Sequence, residues 1–152
     1  MAIEIQGKAD LYHTLHILDE KTSNTKPLLR ELTNHLVNIV EESFENERTP
    51  DGIAWSPIKP RKNDPHPEKI LYAEGTMQGS LYSDVYNDGG VVGVNATAHG
   101  YPYPIVQQYG NKAGTLEARE FMPIKQDGEI YPGTVRELEQ IVEDYFEFLD
   151  RV

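Results

Sequence analysis

Five prolines fall between Arg48 and Gly75, at Pro50, Pro57, Pro60, Pro65 and Pro67, and no other feature limits the fold of this chain more. Each proline removes a backbone donor and fixes φ, so the stretch can hold neither a long helix nor a central strand. The chain is thereby divided into a helical first part and a second part that must build its own sheet and helix. A loop of this length is uncommon inside a compact domain and is usually a binding loop or a segment that orders on assembly. Trp55, the single tryptophan, lies near its start. Its large apolar area is expected to pin that end to the core.

Ahead of the loop, Ile3 and Ile5 alternate with Glu4 and Gln6 before Gly7, which reads as a short strand closed by a turn. Leu11, Leu15 and Leu18 line one face of a helix over residues 10–21, ended by Thr22, Ser23 and Asn24. A second helix begins near Pro27 and runs to about Asn46, with Leu28, Leu32, Leu36, Ile39 and Val40 inward and Glu31, Glu41, Glu42 and Glu45 in water. Two helices joined by a few polar residues form an antiparallel or splayed pair. Their shared apolar stripe needs a third surface to cover it.

The later part supplies that surface. Leu81, Ser83 and Val85 alternate with Ser80, Tyr82, Asp84 and Tyr86, and Val91, Val92 and Val94 follow the turn residues Asn87 to Gly90, so a hairpin is expected. One face takes the helices; the other, with Tyr82 and Tyr86, is left for solvent or a partner. Tyr103, Val106 and Tyr109 recur at helical spacing, and Gly110 stands where a left-handed cap belongs. Thr134 and Glu137 form a candidate capping box for a last helix with Val135, Leu138, Ile141, Val142, Tyr145 and Leu149 inward. The reading is α+β: an antiparallel sheet packed by N-terminal helices and a C-terminal helix, in one domain over residues 1–152 with the proline-rich loop at 48–75.

Composition narrows the function. No cysteine is present, so disulfides, thiolate metal sites and thiol nucleophiles are excluded. The formal net charge of −11 opposes broad attraction to nucleic acid and to anionic lipid. Residues 1–10 lack the basic start and apolar core of a signal peptide, and no apolar run approaches the ~20 residues that cross a bilayer. An aqueous compartment is expected, without membrane or sequence-specific nucleic acid as partner. Lys59, Arg61, Lys62 and Lys69 gather in the loop as a local basic patch in an otherwise acidic chain.

Catalytic patterns are few. Asp10, His13 and His16 fall on one helical face, which permits a metal-dependent hydrolase, yet a fourth ligand and an HExxH base are missing. His35 lies beside the apolar stripe as a packed helix residue, and His66 and His99 sit among Pro and Gly in loops. No serine occupies a GxSxG elbow, and neither a P-loop nor a GxGxxG turn occurs. The acidity alone also permits an inhibitor that mimics nucleic acid. A non-enzymatic role without cofactor is the leading expectation.

Taken in order, the landmarks are Phe44-Glu45-x-Glu47, Pro50-Asp51-Gly52-x-x-Trp55-x-Pro57, Gly79-Ser80-Leu81, Val91-Val92-Gly93, Tyr103-x-x-Val106-Gln107-Gln108-Tyr109-Gly110 and Ala118-Arg119-x-Phe121-Met122. The series resembles the phage virion morphogenesis, or tail completion, family of Mu-like and P2-like phages and prophages, over about residues 3–152. Gln107 stands where that family often has His, Glu120 where it often has Pro, and Pro65 and Pro67 interrupt the usual lysine-rich run.

The resemblance implies a structural protein of the virion, with a curved antiparallel sheet, that completes the tail and joins it to the head. On it, the chain is a ring or adaptor subunit that meets connector, neck or tail proteins and is present in host cytoplasm during assembly. The proline-rich loop then serves as a docking arm. The candidate interface comprises Trp55, Lys59, Arg61, Lys62, Tyr103, Gln108, Tyr109, Arg119 and Phe121. For Arg119 two roles stay open: a fork that clamps a neighbour's carboxylate, or an intrachain salt bridge.

Overall fold

The computed structural model describes residues 1–5, 24–59, 62–63, 70–71 and 76–151. The helix expected over 10–21, with its Asp10, His13 and His16, lies outside the described residues, as do Arg61, His66 and Lys69.

Three strands form one antiparallel sheet: β1 (Ala2–Ile5), β2 (Leu81–Val85) and β3 (Gly90–Val94), in the order β1-β3-β2. The hairpin registers Leu81 opposite Val94 and Val85 opposite Gly90, and β1 registers Ala2 opposite Gly93. Tyr86 N–H closes the turn onto the carbonyl of Gly89 at 2.7 Å. Along β2 the expected alternation holds in part: Leu81 and Val85 pack against the core and Tyr82, Asp84 and Tyr86 are exposed, but Ser83, expected on the inward face, is exposed as well.

Helix α1 (Lys26–Asn46) crosses β2 and β3 and also touches the last helix. Pro27 is in its first turn, where a missing N–H is harmless. It buries Leu28, Leu29, Leu32, Leu36, Val40 and Phe44; Ile39 is only half-buried. Close approach to the sheet depends on Gly90, because a Cβ there would stand 2.5 Å from the methyl of Thr33. Glu47 ends the helix in a left-handed conformation (φ 52°), its N–H on the carbonyl of Ser43.

A single helical turn, α2 (Thr76–Gly79), leads into β2 and was not foreseen. Helix α3 (Pro104–Tyr109) matches the expected aromatic helix. Helix α4 (Pro132–Arg151) buries Thr134, Leu138 and Val142. Here the sequence reading needs correction. The helix starts at Pro132, two residues before the expected cap, so Thr134 lies inside it and is buried. Glu137 instead reaches across to α1, where its Oε2 is 2.8 Å from Nε2 of His35. Proline's fixed φ suits a first helical turn, which is why the start moves there.

Candidate docking site

The proline-rich stretch is organised at its start. Arg48 and Ala54 form a bridge around a tight turn in which Gly52 takes φ +90°, as the Pro-Asp-Gly sequence requires. Trp55 is then driven inward. Its ring meets Phe44 edge-on (6.0 Å, 83°), and Phe44 stacks on Phe121 (5.1 Å, 30°). The indole Nε1–H donates to the carbonyl of Glu120 at 2.9 Å, so the polar end of the buried ring is satisfied.

Gln108 is fully buried, and its amide acts as a surrogate peptide group. Oε1 accepts from the N–H groups of Phe121 (2.9 Å) and Met122 (3.1 Å), and Nε2 donates to the carbonyls of Met122 (2.8 Å) and Ile124 (3.3 Å). An irregular segment is thereby held on α3 without a strand ladder. The hydroxyl of Tyr109 adds contacts to the carbonyls of Ile124 (2.9 Å) and Lys125 (3.0 Å). Gly110 has φ +74°, yet its ψ of −175° is extended, so it is not the left-handed helical cap expected; a Cβ there would lie 2.6 Å from the carbonyl oxygen of Leu116.

Arg119 ties this frame to the loop. Its N–H donates to Gln107 O at 2.8 Å, while its side chain crosses to the loop, Nε donating to Ser56 O (3.0 Å) and Nη2 to Pro57 O (3.4 Å). The residue is 7% exposed. Among the described residues no carboxylate pairs with it, so the intrachain salt bridge is replaced by bonds to carbonyls. Among the described residues Nη1 has no hydrogen-bond partner and no side-chain nitrogen or oxygen is both buried and unpartnered, so with respect to them Nη1 is open to solvent. Beside it is a cavity of about 220 Å³ lined by Ile58, Leu71, Met77, Tyr103, Gln107, Leu116 and Arg119. Asn111 shapes one wall, its Oδ1 accepting from Thr115 N (3.0 Å) and Leu116 N (3.1 Å).

Three groups near this frame titrate away from their usual ranges. Burial, and then the charge of Asp51, hold the carboxyl of Glu120 above the ordinary glutamate value. Burial, then Glu120 and Asp127, raise the phenol of Tyr109, and burial raises that of Tyr103. Among the described residues no three His, Asp or Glu side chains come together to hold a metal ion.

The candidate interface residues therefore divide. Trp55, Gln108 and Phe121 have their side chains buried inside the chain, where their apolar area and amide groups are satisfied and they act as internal fasteners. Tyr109 is half-buried and bonded internally. Lys59 and Lys62 are exposed on the loop, and Tyr103 and Arg119 face the cavity. The sequence reading missed the role of Leu116 and Met77 as cavity wall, since neither lies in a periodic segment that assigns it a face.

The phage virion morphogenesis family matches the chain over residues 8–145, which spans α1, α2, the β2–β3 hairpin, α3 and most of α4. The chain belongs to this family. No curated protein sequence and no solved structure matches it. As a virion morphogenesis protein, it has a phage structural or assembly role, interacts with other virion proteins and is associated with the virion. No helix among its described residues is long and apolar enough to cross a membrane.

Proposed function

We propose that this virion morphogenesis protein completes the phage tail and joins it to the head, acting as a ring or adaptor subunit. Family membership over residues 8–145 carries the reading. The frame built by Trp55, Gln108 and Phe121 supports it, because it fixes the cavity that Arg119 lines and the start of the loop on which Lys59 and Lys62 are exposed. Such a fixed surface suits docking by assembly, with little rearrangement of the backbone that carries it. The partners on this reading are connector, neck or tail proteins at the head–tail interface or tail end.

Deleting the gene from its phage and counting particles by electron microscopy tests this directly. Full heads and separate tails are expected, with joined particles restored by the wild-type chain in trans. Normal numbers of joined, infectious particles from the deletion would overturn it.

A further inference from the structure

We propose that the Arg119 cavity is the receptor half of a head-to-tail contact between two copies of this chain, receiving Phe148 of the next copy with a carboxylate beside it closing on the guanidinium. The inference rests on the ring reading above and names the contact that would build it.

The receptor is defined by its charge. Arg119, 7% exposed as a residue, meets no carboxylate among the described residues: Nε and Nη2 bond the carbonyls of Ser56 and Pro57, and Nη1 is left to the cavity and solvent. A carboxylate from a neighbour can reach that free edge of the guanidinium and pair with it. The cavity of about 220 Å³ far exceeds the ~10–15 Å³ that one water needs, and among the described residues its wall, apart from Arg119 and Gln107, is Ile58, Leu71, Met77, Leu116 and the ring of Tyr103. A fitting ligand has an apolar body and an acid within one side-chain length of it.

This chain carries such a ligand on a different surface. Phe148 in α4 is 60% exposed, the most exposed aromatic among the described residues. Asp144 lies four residues earlier and so on the same helical face, and Glu147 and Asp150 flank it. Asp144 accepts one hydrogen bond, from Gln140 at 2.9 Å, and retains further acceptor capacity. No residue of α4 lines the cavity, so receptor and ligand are separate surfaces of one copy. A contact between two different patches is heterologous and propagates into a closed ring or an open filament, never stopping at a symmetric dimer. With a net charge of −11, copies repel one another unless the seam contains a cation, and Arg119 supplies it.

Sedimentation velocity of the full chain over a range of concentrations tests the contact. The wild type should assemble beyond a dimer. Phe148→Ser and Asp144→Asn should each weaken association, Phe148→Ser by about tenfold or more, with unchanged melting of the monomer. Arg119→Gln should also weaken it; because Arg119 braces the loop, that variant is combined with a mixing experiment. Phe148→Ser keeps the receptor and Arg119→Gln keeps the ligand, so a mixture should form a one-to-one dimer and nothing larger. A wild type that stays monomeric, one that stops at a dimer, or assembly indifferent to Phe148→Ser would overturn the proposal. If association ignores these changes while gene deletion still blocks head–tail joining, this contact is wrong and the assembly role stands.

Discussion

The carboxylate Oε1 of Glu47 accepts a hydrogen bond from the backbone N–H of Ile70 at 2.8 Å, while its own carbonyl accepts from the N–H of Trp55 at 2.8 Å. One residue at the end of α1 thus holds two points within the proline-rich loop, one near its start and one towards its end. Ile70 itself is buried, so the charge-assisted bond fixes backbone that water cannot serve. Glu47→Ala should release the distal anchor and lower stability by about 1.5–3 kcal/mol. Faster amide exchange at Ile70 and earlier cleavage in limited proteolysis of the loop are the checks. Unchanged exchange at Ile70 would refute the anchoring role.

Gln108→Leu keeps a similar volume and removes four hydrogen bonds at once. The N–H groups of Phe121 and Met122 and the carbonyl of Met122 would be left without that partner in a fully buried place. At roughly 1–3 kcal/mol for each stranded group, and with incomplete additivity, a loss of at least ~3 kcal/mol is expected. Urea denaturation followed by the emission of Trp55, the only tryptophan, measures it. The probe sits in the same frame, being bonded to Glu120 beside Phe121.

Gly110→Ala meets two obstacles. At φ +74° with an extended ψ the conformation is close to glycine-only, and the added Cβ would come within 2.6 Å of a backbone oxygen, which cannot swing aside as a side chain could. A loss of about 1–3 kcal/mol from backbone strain alone is expected, plus the displacement of Leu116 from the cavity wall. Comparing thermal melting of the variant with that of Gly100→Ala separates the two causes, since Gly100 also has positive φ but has open space around it.

Much of the scaffold was legible because it is periodic. The leucines of α1, the apolar residues Leu81 and Val85 of β2 and the apolar stripe of α4 each announce a face, and those residues pack on it. The site was less legible because it is built from irregular backbone. Gln108 and Arg119 reach carbonyls 14 and 62 or 63 residues away, and no local spacing encodes that. The capping box failed for a related reason: Glu137 has a competing partner in His35, 102 residues distant. Gln-Tyr-Gly and Ala-Arg-x-Phe, which carried the family resemblance as suspected contact residues, contribute mainly fasteners, and of these only Arg119 also faces an opening.

Arg119→Ala follows from the same geometry. The side chain bonds Ser56 and Pro57, so its loss should lower the melting temperature of the monomer, against the small effect expected of a residue used only between subunits. Each lost bond from a charged donor is worth about 1.5–3 kcal/mol, reduced here by the 3.4 Å length of the second. Differential scanning calorimetry at concentrations below association is the measurement. An unchanged melting temperature would place Arg119 wholly in the intersubunit contact.

The pH dependence turns on Glu120. Its folded carboxyl titrates above the usual glutamate value through burial and then the nearby Asp51, so folding favours the protonated form. Stability from this group is fully present below the unfolded value near 4.5 and is lost as pH rises through the higher folded value. At neutral pH the ionised Glu120 therefore opposes folding. Glu120→Gln should raise the melting temperature at pH 7, and its advantage should vanish as the pH falls below about 4, where the wild type is itself protonated. Asp51→Asn should give a smaller gain of the same sign, because the Asp51 charge ranks behind burial as the cause. The difference in melting temperature between Glu120→Gln and wild type, followed from pH 3.5 to 7.5 (an assay range of roughly four units around the carboxylate pKa), should rise with pH. A flat difference would mean that Glu120 is as well solvated in the folded chain as in the unfolded one.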